Sequence, residues 1–200
     1  MKYPKNIEQI MSLEPDMLGF IFESTSPRFM GSHFHLSPQL AELTCSKVGI
    51  FVNPTVAFVD EVAEQFHLDF IQLHGNESPD LVNMVAEKHK VIKAFCVDES
   101  FDFSLSAYQR ATYFLFDAKG LKRGGNGIKF DWKLLDKYQG ETPFFLSGGI
   151  GPEDIQQLIM VCHPQFIGID INSRFELSAG KKDVARIQSF IKELYEVSGR

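Results

Sequence analysis

The chain has 200 residues, 44% of them hydrophobic, with 26 acidic side chains against 20 basic ones and a formal net charge of -6. That length buries a sizeable core, while the acidic balance argues against a nucleic-acid footprint; the basic pairs Lys122/Arg123 and Lys181/Lys182 are isolated and read as solvated rims. Three cysteines (Cys45, Cys96, Cys162) without paired or metal-type spacing, no apolar run of membrane-spanning length and no apolar signal core lead to the expectation of a cytoplasmic protein that engages neither membrane nor nucleic acid.

Ile7, Ile10 and Met11 recur at helical spacing until Glu14-Pro15-Asp16 breaks the pattern, so the chain opens on a helix. Apolar strands follow at Leu18 to Phe22, Val48 to Val52, Phe70 to Leu73, Val91 to Val97, Tyr113 to Asp117, Phe144 to Ser147 and Phe166 to Asp170. Between and after them helices are predicted at about Pro38 to Leu43, Thr55 to Phe66, Ser78 to Lys88, Phe101 to Tyr108, Asp131 to Tyr138, Pro152 to Val161 and Val184 to Val197. Asn53-Pro54, Ser78-Pro79 and Gly151-Pro152-Glu153-Asp154 supply caps, first-turn prolines and first-turn acids. Strands apolar on both faces suit a parallel sheet covered by helices, either a barrel or an open doubly wound sheet. Eight helices against seven strands point to an α/β (βα)8 TIM barrel missing most or all of strand 1, with residues 1–200 as one domain.

Parallel βα proteins carry their chemistry beyond the C-terminal ends of the strands, and six of these ends are polar or glycine-rich. Ser147-Gly148-Gly149 and Asp170-Ile171-Asn172-Ser173 occupy the places of the last two strand ends and read either as anion cradles, where backbone N–H groups would hold phosphate, or as simple tight turns. Asp117 ends an apolar strand and introduces Ala118-Lys119-Gly120 and then Gly124-Gly125-Asn126-Gly127. It reads as a general acid under a mobile cover, or as a cap over an ordinary loop. Arg28, in Ser26-Pro27-Arg28, suits a ligand carboxylate. His74 is either a substrate contact or a structural hydrogen-bonding group. Ser32-His33-Phe34-His35 lacks a matching ligand set, so no metal is expected.

In order, LGFIF with SPRF, VGIFVN, IQLHG, VIKAF, FDAKG with GGNGIKFDW, LSGGI, GIDINSRFE and GKKD resemble the phosphoribosylanthranilate isomerase family over nearly the whole chain. The resemblance implies a cofactor-free aldose–ketose isomerase, an intramolecular oxidoreductase of tryptophan biosynthesis performing an Amadori rearrangement. Its partner is a phosphorylated small molecule, and it acts as a monomer or homodimer. It casts Asp117 as general acid opening the ribofuranose ring, Arg28 as holder of the anthranilate carboxylate, and Asp170 as a contact to sugar hydroxyls. Gly148, Gly149, Asn172 and Ser173 fall in the phosphate-binding turns.

Two departures stand out. Relatives begin with a strand ending Lys-(Ile or Val)-Cys-Gly whose cysteine is the general base, and Met1-Lys2 matches the segment just after it, so the chain is expected to be nearly inactive. Asn172-Ser173-Arg174-Phe175 replaces a common Ser-Ser-Gly-Val, and Arg174 lacks the backbone freedom of glycine. Cys45 and Cys162 belong to the opposite barrel end. Cys96 shares parity with Ile92 and Ala94, and points toward the helices if Lys93 points inward. A non-enzymatic phospho-ligand binder and an aldolase using Lys93 as a Schiff-base amine are the alternative readings.

Overall fold

The computed structural model describes residues 1–31, 44–118 and 129–199. The predicted helix at Pro38 to Leu43, the Ser32-to-His35 motif, Lys122/Arg123 and the loop from Lys119 to Gly127 lie outside the described residues.

Strands β1 (Met17–Ile21), β2 (Ser46–Phe51), β3 (Phe70–Leu73), β4 (Lys90–Val97), β5 (Tyr113–Ala118), β6 (Phe144–Leu146) and β7 (Phe166–Ile169) form one sheet in sequence order, every pair parallel. All seven fall within a residue or two of the sequence expectation, because each is a short β-branched or aromatic run closed by polar or glycine residues. Alternate side chains divide into two cores. Val48, Phe70, Ile92, Ala94 and Leu115 cluster on one face with Met17, Ile50, Tyr113 and Phe145. Ile71, Leu73, Val91, Phe95, Val97, Phe114 and Phe116 lie on the other, in the core that holds the helices' buried residues.

The helices are α1 (Pro4–Met11), α2 (Val56–Phe66), α3 (Pro79–Val85), α4 (Ile155–Leu158) and α5 (Val184–Ser198). Thr55, Ser78 and Asp183 cap α2, α3 and α5 by accepting from Phe58, Leu81 and Arg186 N–H groups. Three predicted helices shrink. Phe101 to Tyr108 keeps only a 3-10 turn at Ser106–Tyr108, Asp131 to Tyr138 is 3-10 over Trp132–Lys137, and Pro152 to Val161 is a 3-10 turn followed by α4. In the first of these, the Asp98 and Asp102 side chains accept from the N–H two residues on, a turn geometry that competes with the helical ladder.

The sheet does not close. β1 and β7 are its edges, and no described residue forms a strand between them, so the expected barrel is present as seven of eight strand positions. The nitrogen of Met1 donates to the Gly19 carbonyl of β1 at 2.6 Å, which brings the start of α1 onto that edge. A hairpin absent from the sequence expectation, β8 (Glu176–Ser178) and β9 (Lys181–Lys182), follows β7. Asn6 locks it to α1: its amide donates to the Lys182 carbonyl at 3.0 Å and accepts from the Lys182 N–H at 2.6 Å.

Candidate active site

Gln72, His74 and Asp117 share the strand parity of the inner cluster, so the sheet points them to one side at the C-terminal ends of β3 and β5. The Gln72 amide lies 2.8 Å from His74 Nδ1, and His74 Nε2 lies 3.1 Å from Asp117 Oδ2. With the amide donating at Nδ1, the ring carries its proton on Nε2 and donates it to Oδ2 of the Asp117 carboxyl group. His74 is thereby a neighbour of Asp117, and buried Gln72, which sequence reasoning passed over, sets its orientation.

The Ser147-Gly148-Gly149 turn abuts this group. Gly148 and Gly149 have φ +94° and +69°, a left-handed backbone that side chains resist. A Cβ on Gly148 would stand 2.3 Å from the Ala118 nitrogen and 2.9 Å from Asp117 Oδ1, so the glycine is required for the turn to lie against the carboxyl. Ser147 Oγ donates to Asp170 Oδ2 at 3.4 Å. Burial pushes the Asp170 carboxyl up from its usual range; the charge of Asp117 adds to that, while Lys182 and His74 pull against it.

Beyond Asp170, Asn172 Oδ1 accepts from Lys182 Nζ at 2.6 Å, and Ser173–Phe175 forms a 3-10 turn. Among the described residues, positive φ outside glycine occurs only at Glu14, Asn53 and His67, so Arg174 sits there without glycine's freedom being needed. Its guanidinium pairs with Glu153. Lys182 itself is buried, which corrects its reading as a solvated rim; Lys181 remains exposed.

Arg28 meets Glu176 across the seam, with Nε 2.9 Å and Nη2 2.7 Å from Oε2, and Nε 3.1 Å from Oε1. Glu176 also accepts from the Gly180 N–H at 3.1 Å and from Lys182 Nζ at 3.4 Å. Burial alone would raise the Glu176 carboxyl, but the Arg28 hydrogen bonds and the Lys182 charge outweigh it and hold the group below the usual range. Glu176 and Lys182 belong to the quoted GIDINSRFE and GKKD segments, yet no role was assigned to either; only their meeting in space supplies one.

Lys93 and Cys96 reverse the conditional expectation. Lys93 faces the helix layer, its ammonium 2.9 Å from Glu77 Oε2 and bonded to the Leu73, Gly75 and Ala94 carbonyls. Cys96 therefore points inward with Ile92 and Ala94, is exposed, and is the register partner of Asp117. Both faces of β4 are apolar over most of its length, so parity gave two sets of residues without saying which was inside. With its amine spent on Glu77, Lys93 is not brought to the rim, which removes the support for the aldolase reading. Cys45 bonds Met11 Sδ at 3.4 Å next to the start of β2, and Cys162 follows α4, both away from this rim. No helix among the described residues is long and apolar enough to cross a membrane.

A parallel sheet with its acids, amides and glycine turns gathered at the C-terminal strand ends defines a protein of the βα-barrel class. More narrowly, the model of the N-(5'-phosphoribosyl)anthranilate (PRA) isomerase family matches residues 1–193, and the chain belongs to that family. It is 40% identical over 199 residues to the N-(5'-phosphoribosyl)anthranilate isomerase of Parabacteroides distasonis, covering 97% of this chain and 90% of that protein. Phosphoribosyl anthranilate isomerase from Thermus thermophilus superposes with a TM-score of 0.83 at 22% identity, over 98% of this chain and 96% of the other, a likeness of fold. A phosphoribosyl anthranilate isomerase solved with reduced 1-(o-carboxyphenylamino)-1-deoxyribulose 5-phosphate superposes at 0.73 with 31% identity, over 95% of this chain and 93% of that one.

Proposed function

We propose that this rim performs the Amadori rearrangement of N-(5'-phosphoribosyl)anthranilate to 1-(2-carboxyphenylamino)-1-deoxyribulose 5-phosphate in tryptophan biosynthesis, in the cytoplasm and without a cofactor. The observation that supports the reading is the close approach of the glycine turn at Gly148 to the Asp117 carboxyl. Asp117 protonates the ring oxygen as the furanose opens to an imine. A base then removes the C2 proton, and the enolamine tautomerises to the aminoketone. Gly148, Gly149, Asn172 and Ser173 hold the phosphate, Arg28 the anthranilate carboxylate and Asp170 the sugar hydroxyls, with His74 orienting Asp117.

By the family resemblance, the base is the cysteine of a Lys-(Ile or Val)-Cys-Gly strand, a motif that residues 1–200 do not contain. The Met1 nitrogen donates to the Gly19 carbonyl of β1, which is an edge strand of the sheet. A polypeptide of residues 1–200 alone is then nearly inactive. Assaying it beside one carrying the strand in front decides the matter: turnover restored by the strand, and lost when its cysteine becomes serine, supports the reading. Equal, substantial turnover by both refutes the assignment of the base.

A further inference from the structure

Arg28, Glu176, Lys182 and Asn172 come from three separate segments: the loop after β1, the β8–β9 hairpin and the turn after β7. Glu176 is the node. It takes the Nε–Nη2 edge of Arg28 in a fork-to-fork grip, and its other partners, Gly180 N–H and Lys182 Nζ, fix the carboxylate that does the gripping. A guanidinium on a long side chain loses considerable freedom when it binds an anion. One already held along an edge has lost that freedom beforehand and presents its plane in a single orientation. The Arg28 and Glu176 side chains of this node are 11% and 4% exposed, so their pairing is shielded from solvent.

We propose that Glu176 is a positioning residue that sets the Arg28 guanidinium for a ligand's aryl carboxylate. The inference rests on the isomerase reading, and it assigns to Glu176 a specificity for the carboxylate end alone.

The test is calorimetric titration of the 200-residue chain with two probes, reduced 1-(o-carboxyphenylamino)-1-deoxyribulose 5-phosphate and the same compound lacking the ring carboxylate. The unsubstituted chain is expected to prefer the carboxylated probe. Glu176→Gln should weaken that probe about tenfold and leave the other within about twofold, as expected for one charge-assisted contact. Should Glu176→Gln fail to fold, Glu176→Asp keeps the charge but shifts the grip by one methylene, and the same selective loss is expected. Equal weakening of both probes marks a merely structural residue and overturns the proposal. Unchanged or tighter binding of the carboxylated probe overturns it too. Failure of the unsubstituted chain to bind either probe overturns the isomerase reading itself.

Discussion

Lys93 and Glu77 form a closed ion pair beneath the functional rim, Nζ 2.9 Å from Oε2, with their side chains 3% and 0% exposed. Glu77 also accepts from the Asn53 and Gly75 N–H groups, and Tyr108 donates to its carbonyl, so the pair fastens the loops after β2 and β3 to β4. Asn53 holds a left-handed φ of +47° at one of these loops. Removing one partner strands the other's charge in the core. Lys93→Met is therefore expected to cost about 3–5 kcal/mol, read as a fall in the urea midpoint at constant m-value; a loss below about 1 kcal/mol contradicts the pair's role.

The same pair sets an acid limit. Burial would raise the Glu77 carboxyl, but the Lys93 charge and the hydrogen bonds hold it below its ordinary 4.5. A depressed folded-state pKa means the unfolded chain takes up the proton first as pH falls, so this contribution is complete above about pH 4.5 and drains away below it. Glu77→Gln should flatten the decline of stability below pH 4.5 relative to the unsubstituted chain. Parallel acid profiles would locate the effect elsewhere.

Gly148→Ala probes the turn against Asp117. A left-handed φ costs an L-residue about 1–2 kcal/mol, and a Cβ at this place meets the Ala118 backbone at 2.3 Å, which cannot swing aside. The expected result is a lowered melting temperature together with at least a tenfold loss, on the order of one lost hydrogen-bonded cradle, in affinity for the reduced phosphorylated product analogue. Unchanged affinity removes the turn from the phosphate site.

Cys96 reports on occupancy of the rim. It is exposed on the inner side beside Asp117, whereas Cys162 is exposed away from it and Cys45 is buried. Alkylation followed by peptide mass spectrometry should show bound product analogue slowing the labelling of Cys96 and leaving Cys162 unaffected. Equal protection of both, or of neither, would place the ligand elsewhere.

The strands, their order and the identity of Asp117, Gly148, Gly149 and Asp170 as rim residues were legible in the chain itself. Short β-branched and aromatic runs closed by glycine and polar residues form a parallel sheet, and that topology fixes which end of each strand gathers the chemistry. The helix that opens the chain was legible too, and the structure puts β1 and β7 at the two edges of the sheet with no described residue forming a strand between them. Helix lengths were not, because single Asp side chains such as Asp98 and Asp102 redirected the backbone into turns. Which way Lys93 and Cys96 point was undecidable in a strand apolar on both faces, until Glu77 claimed the lysine. The grip of Glu176 on Arg28 spans 148 positions and the pair of hydrogen bonds between Asn6 and Lys182 spans 176. No local pattern encodes such meetings, and only the folded sheet brings their partners within hydrogen-bonding reach.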